Sequence, residues 1–375
     1  MPATTVSRRF VFFGSLAAAA AGRAQVQESE IRVAFIGTGG RGGSLMRSTL
    51  AQPSVKVAAV CDIKPDRLDR AATLTARDKP KTVREWREVL AMPDVDAVYI
   101  ATPCDLHAEM AVAALEAGKH VYCEKPVGIH AAEIGWLWTV ARKSAKVFQA
   151  GQQLRSLAYR AELVEKIREG AIGEVMMVKA QRHSAQDLAH DGTSADWFFD
   201  AKRSGDVLVE QSVHNLDQIN WLTGSRPALA AGFGGVMKWK NQPPGRTSMD
   251  GYTLSYEYAN GVKVSYTNVF FHAAGLPGGG AYTYLYGTKG SLDADTCLFY
   301  PDARKAEPVQ LVAKADPPEN MNEKHVRAFL DAIRGKGKPP AGIEEGAVGA
   351  LTAILGREAI YQKRVTSWAE LGVPI

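Results

Sequence analysis

The stretch from Ile31 to Gly43, I-R-V-A-F-I-G-T-G-G-R-G-G, limits the possible folds of this chain more than any other. Five of its first six residues are apolar, as in a strand buried on both faces. It then reads G-x-G-x-x-G at Gly37, Gly39 and Gly42. In such a loop the first glycine makes a tight turn and the second lets backbone approach a pyrophosphate. The third lets the following helix pack close to the strand. Thr38, Gly40 and Arg41 fill the positions between, and the helix that begins here offers unpaired N–H groups to phosphate. A second apolar run, Val55 to Cys61, ends at Asp62, twenty positions beyond Gly42. An acid there meets the ribose hydroxyls of a dinucleotide, although an aspartate can equally cap the next helix. Together these features predict a dinucleotide site. Asp62 favours NAD, while the neighbouring Lys64 leaves room for NADP.

The alternation continues. Helices are expected over Pro65 to Ala76, Leu106 to Ala117 and Ala131 to Ser144, with strands over Asp96 to Ala101, His120 to Cys123 and Lys146 to Ala150. This implies a parallel sheet with right-handed crossovers and a ligand site at the carboxyl ends of its strands. Thr102, Pro103, His107, Glu124, Lys125 and Gln149 lie at such ends or in the loops after them, and are candidate cofactor contacts. The alternative for Lys125 is a solvated loop lysine.

Beyond about Gln152 the pattern changes. Long strands are expected over Glu174 to Ser184, Ala228 to Lys240 and Ser291 to Tyr300. A hairpin is expected around Asn260-Gly261, whose residues tolerate positive φ. One helix is expected over Gly205 to Leu222, and two more over Asn322 to Arg334 and Ile343 to Tyr361. The class is therefore α/β: a doubly wound parallel sheet over 28–150, then an α+β domain over 151–375 with an open, mostly antiparallel sheet. The last helices are expected to pack back on the first domain. The uncovered face of the second sheet is a candidate interface for a homo-oligomer.

Residues 1–27 read as a signal peptide: Arg8-Arg9, an apolar run from Phe10 to Gly22, then Arg23-Ala24. The paired arginines and following Phe10-Val11-Phe12 resemble a twin-arginine signal, which predicts a periplasmic enzyme. An ordinary secretory signal is the alternative. The apolar run is too short for a stable membrane span. Losing the three arginines would lower the formal charge from +5 to +2, which argues against a nucleic-acid partner. The four cysteines form no C-x-x-C pair, so neither a zinc site nor a redox pair is expected.

Two further motifs join the glycine loop: Glu124-Lys125-Pro126, and S-G-D-V-L-V-E-Q-S-V-H-N-L-D-Q-I-N-W-L-T-G from Ser204 to Gly224. With Thr102-Pro103, His107 and Gly287-Thr288-Lys289-Gly290, they make the chain resemble the glucose-fructose oxidoreductase / inositol dehydrogenase / MocA family. The resemblance implies a Rossmann domain, a substrate domain, an active site between them, and hydride transfer at a sugar or polyol carbon. It assigns the family's lysine to Lys125, its acid to Glu210, where aspartate is commoner, and its histidine to His214. Arg155 and Trp197 resemble family positions that contact substrate or cofactor. The resemblance also allows a cis bond before Pro126.

Removing a hydride from a carbinol carbon requires a base for the hydroxyl proton. His214 is the candidate base, its basicity expected to be raised by a nearby carboxylate, and Lys125 would stabilise the developing alkoxide. On one helix, Glu210, His214, Asp217 and Trp221 would share a face and make a substrate stripe. The alternative for His214 is a hydrogen-bonded structural histidine. His183, Asp187, His190, Asp191 and Asp196 have no metal-ligand spacing, and no metal is expected. The net reaction stays open between sugar oxidoreduction on a tightly held cofactor, glycoside cleavage through transient oxidation, and non-catalytic sugar binding.

Overall fold

The computed structural model describes Met1 and residues 29–185, 196–315 and 320–375. The proposed signal peptide and the loop acids Asp187 and Asp191 with His190 lie outside the described residues.

The first domain runs β1 (Ile31–Ile36), α1 (Gly40–Leu50), β2 (Val55–Cys61), α2 (Pro65–Leu74), β3 (Lys81–Val83), α3 (Trp86–Leu90), β4 (Ala97–Ile100), α4 (His107–Glu116), β5 (His120–Cys123), α5 (Ala131–Lys143) and β6 (Phe148–Ala150). All strands are parallel, in the order β3-β2-β1-β4-β5-β6. The order reverses between β1 and β4, which opens a crevice beyond their carboxyl ends.

The second domain begins with α6 (Ala158–Arg168), β7 (Val175–His183) and the short helices α7 (Asp196–Phe199), α8 (Ala201–Ser204) and α9 (Val207–Glu210). Then come α10 (Val213–Thr223), β8 (Pro227–Gly235), β9 (Gly251–Tyr258), β10 (Lys263–Val269), β11 (Gly280–Gly287), β12 (Gly290–Asp293), β13 (Leu298–Pro301) and β14 (Val309–Gln310). It closes with α11 (Met321–Ile333), α12 (Ile343–Gln362) and β15 (Thr366–Ser367). Among the described residues its nine strands form one sheet, β14-β13-β12-β11-β7-β10-β9-β8-β15, antiparallel except between β7 and β10.

Three sequence expectations need correction. The single helix over Gly205 to Leu222 is two, α9 and α10, parted at Gln211 and Ser212. The strand expected to run to Lys240 stops at Gly235, where Asp250 accepts from the amides of Met237, Lys238 and Trp239 and curls the chain into a loop. The strand over Ser291 to Tyr300 is split into β12 and β13, with Cys297 at φ 61° in the turn.

Two helices join the domains. Val326, Phe329 and Leu330 of α11 pack on Phe35, Tyr99 and Tyr122 of the parallel sheet. The helix α12 is buried on nearly all sides, from Gly346 to Ile360, as its lack of a polar face requires. It contacts both α5 and β6 of the first domain and α9, α10 and β8 of the second. The four cysteines are buried and free. No helix among the described residues is long and apolar enough to cross a membrane.

Candidate active site

The glycine loop is shaped by close approach. Gly37 sits at φ +87°, and a Cβ there would lie 2.5 Å from the Ala101 carbonyl oxygen. A Cβ on Gly42 would lie 2.0 Å from the Gly37 oxygen. These two positions bind loop, strand and helix together and admit no side chain. Gly39 caps α1 without a side-chain bond, and no acid occupies the helix's first turn. The amides and positive dipole end therefore stay available to an anion.

A cavity of about 450 Å³ is lined by Gly37, Gly39, Gly40 and Asp62, by Thr102 and Pro103, and by Trp197, Glu210 and Gln211 of the second domain; Lys125 and His214 do not line it themselves and lie behind Glu210. Asp62 accepts from the Thr38 amide at 2.8 Å, the Thr38 hydroxyl at 3.0 Å and the Lys64 amide at 2.9 Å. It thereby ties the glycine loop to the end of β2. Sequence reasoning missed Arg67 and Arg84, which line the cavity beside Asp62 and Lys64. Arg67 is legible only in retrospect, five positions after the strand-end acid on α2.

Other candidates act behind the cavity. His107 is buried, with Nδ1 2.7 Å from the Pro126 carbonyl and Nε2 2.9 Å from the Thr102 carbonyl, and links those two loops. Burial lowers its pKa. Arg41 turns away from the glycine loop, Nε donating to Glu124 at 2.6 Å and Nη1 to Asn322 of α11 at 2.9 Å. Burial lowers the Arg41 pKa, but the Glu124 carboxylate outweighs it and the net shift is upward. Glu124 also accepts from the Lys125 amide at 3.2 Å. Gln149 donates to the His325 carbonyl at 2.8 Å and is fully buried. Arg41, Glu124 and Gln149 thus hold the parallel sheet, α11 and the Lys125 loop together, and none of them lines the cavity.

The chemistry-bearing groups meet where the two domains meet. The bond between Lys125 and Pro126 is cis. The Lys125 ammonium lies 2.5 Å from Glu210 Oε1 and 2.7 Å from the Glu210 carbonyl oxygen. Gln211 donates to the other Glu210 oxygen. Lys125 and Glu210 keep only 13% and 9% of their side-chain exposure, so each is the other's main counter-charge.

His214 follows Glu210 by four residues. It is half-buried, and its Nδ1 is sealed from solvent without a hydrogen-bond partner. Its pKa is driven well below the ordinary value by burial, then by the positive charges of Lys125, Arg182 and Arg41. The expectation that a carboxylate raises its basicity is therefore reversed: burial and the surrounding positive charges all act in the opposite direction. The predicted substrate stripe also breaks. Asp217 accepts a bidentate pair from Arg155 at 2.8 and 2.9 Å, and the two side chains are 2% and 10% exposed. Arg155 and Asp217 brace α10 against the segment after β6 and do not line the cavity. Trp197 does. Among the described residues no cluster could hold a metal ion.

Residues 31–152 match the profile of the Gfo/Idh/MocA oxidoreductase family, NAD-binding Rossmann fold, and residues 161–293 match the family's C-terminal domain. The chain belongs to the Gfo/Idh/MocA family. It is an oxidoreductase whose first domain is of the NAD-binding type. It is 27% identical to a 1,5-anhydro-D-fructose reductase of Ensifer adhaerens over 76% of this chain and 83% of that protein. A glycosyl hydrolase family 109 protein of Stenotrophomonas maltophilia is 33% identical over 40% of this chain, but that match spans only 35% of the relative. The fold is shared with a myo-inositol 2-dehydrogenase of Lactobacillus plantarum, with a TM-score of 0.74 at 19% identity over 90% of this chain and 99% of that one.

Proposed function

We propose that this oxidoreductase moves a hydride between a nicotinamide dinucleotide and a carbinol or carbonyl carbon of a sugar or cyclic polyol. The observation that carries this reading is one cavity lined both by the glycine loop and by Glu210, whose carboxylate pairs with Lys125 of the other domain. The open N-terminus of α1 and the Gly37–Gly42 turn fit a pyrophosphate, and Asp62 fits an adenosine ribose. Asp62 supports NAD over NADP. A nicotinamide bound there supplies or accepts the hydride. Lys125 donates a hydrogen bond to the reacting oxygen and stabilises its negative charge. His214 stays neutral because of its surroundings, so it can take the hydroxyl proton during oxidation and return it during reduction. Trp197 offers an aromatic face to a sugar ring. The relationship to an anhydrofructose reductase supports this substrate class.

The twin-arginine-like segment before residue 28 supports export in folded form. Free nicotinamide cofactor is scarce outside the cytoplasm, so the cofactor is held tightly and recycled between two substrates. The open face of the second sheet, with exposed Met177, Leu229 and Phe233, supports a homo-oligomer. The test is the absorbance and mass of whatever copurifies with the protein made without added cofactor. Candidate sugars are then added while the near-ultraviolet band of reduced nicotinamide is followed. Loss or gain of that band with one sugar is the expected result; no bound nucleotide and no response overturns the reading.

The similarity to glycosyl hydrolase family 109 proteins favours a second reading, in which transient oxidation leads to elimination and the net reaction cleaves a glycoside. Release of phenol from an aryl glycoside, with exchange of a sugar C–H in deuterated water, would select it.

A further inference from the structure

Asn268 on β10 is fully buried, yet neither its amide nitrogen nor its oxygen has a hydrogen-bond partner. A buried carboxamide left unsatisfied is costly, so a partner is expected. On the facing helix α10 the orphan polar atoms are Nδ1 of His214 and both amide atoms of Gln218, one turn further on. Four relationships place Asn268 and His214 together. Across the sheet, Asn268 is in register with Tyr252 on one side and Arg182 on the other. The Tyr252 hydroxyl bonds Ser212, two residues before His214. Tyr266, two residues before Asn268 and so on the same face of β10, reaches Ser212 Oγ at 2.8 Å and Asn215 Oδ1 at 3.4 Å. The charge of Arg182 is among those that lower the His214 pKa, after burial and Lys125. Asn268 therefore lies beneath the turn formed by residues 212–215, which the two tyrosines clasp.

We propose that Asn268 is the positioning residue for His214: its carboxamide oxygen accepts the Nδ1 proton, which leaves the Nε2 lone pair free to act as the base. The inference rests on the role given to His214 above. It gives two orphaned groups a partner, directly or through one bridging water. It also explains how a neutral imidazole is held in one tautomer, since in a neutral ring the bond made by one nitrogen decides which nitrogen carries the proton. When Nε2 takes the substrate hydroxyl proton, the resulting cation keeps its Nδ1–H on Asn268; a bound nicotinamide would accept the hydride from the carbinol carbon.

The deciding experiment is a nitrogen-15 NMR spectrum of the His214 ring in the intact protein, assigned by comparison with His214→Gln. A protonated Nδ1 and bare Nε2 at neutral pH is the expected result; the opposite tautomer overturns the proposal. This readout needs no turnover, so it can fail while the hydride-transfer reading stands, and the reverse. Asn268→Leu should lose the tautomer preference and lower kcat about tenfold or more while KM stays nearly constant. Asn268→Asp keeps the acceptor and should restore the tautomer, with the acid limb of the pH profile moved upward. If Asn268→Leu folds and leaves both tautomer and kcat unchanged, the proposal is wrong. If it does not fold, the spectrum of the unaltered protein decides alone.

Discussion

The Lys125 ammonium bridges the domain boundary to Glu210, 2.5 Å from the carboxylate and 2.7 Å from the same residue's carbonyl. Two acceptors on one residue fix the ammonium behind Glu210, which lines the cavity. Lys125→Met should therefore lower turnover by about 10²–10⁴-fold while dinucleotide binding persists. Glu210→Ala should both slow turnover and destabilise the fold by about 3 kcal/mol, because it strands a nearly buried charge. Turnover near wild type in Lys125→Met would exclude the lysine from the chemistry.

His325 links acid sensitivity to the domain junction. Its ring bonds the Ala150 carbonyl at 2.9 Å and Ser156 Oγ at 2.7 Å, and burial lowers its pKa to about 4. The unfolded chain takes up this proton first, near the ordinary value of about 6.5, so stability falls as pH drops from about 6.5 to 4. The full effect of this one group is roughly 3 kcal/mol, from about 1.4 kcal/mol per pH unit. Urea midpoints measured from pH 7 to pH 4 should decline over that window, and His325→Gln should flatten the decline. An unchanged slope in the variant would remove His325 from the account.

The parallel sheet was readable because burial on both faces writes continuous apolar runs, and because glycine is forced at Gly37 and Gly42 by backbone contacts under 3 Å. The break between α9 and α10 was not readable. Asp206 at φ 77° sets where α9 begins, and at the break itself Ser212 is held by the hydroxyls of Tyr252 and Tyr266 from the sheet, a long-range contact that local sequence does not encode. The pairings of Arg155 with Asp217 and of Arg41 with Glu124 join residues 62 and 83 positions apart. No local pattern encodes such partners, so a face that looked like a substrate stripe proved partly structural.

The glycines make different demands, and substitution separates them. Gly42→Ala places a methyl 2.0 Å from the Gly37 oxygen, whereas a Cβ on Gly40 meets nothing within 4 Å. Gly42→Ala should abolish dinucleotide binding and destabilise the first domain by about 1–3 kcal/mol or more. Gly40→Ala should leave thermal stability within about 0.5 kcal/mol. Titration with reduced nicotinamide dinucleotide, followed by fluorescence, checks both variants. Equal behaviour would mean that the loop opens more than its contacts indicate.

Asp217 distinguishes a brace from a ligand contact. Its carboxylate is 2% exposed and held by the Arg155 fork, and the Arg155 guanidinium lies 5.0 Å from the centre of the Trp221 ring. Asp217→Asn keeps the shape but removes the charge, leaving a nearly buried arginine without a counter-ion. Such a loss costs about 3–5 kcal/mol. Because the pair lies outside the cavity, the folded fraction of the variant should keep KM within about twofold and kcat within about threefold, changes worth less than about 0.7 kcal/mol. Measuring both constants at a temperature well below the variant's Tm separates the effects. A large rise in KM with little loss of stability would return Asp217 to the substrate site and show that the pair opens when substrate binds.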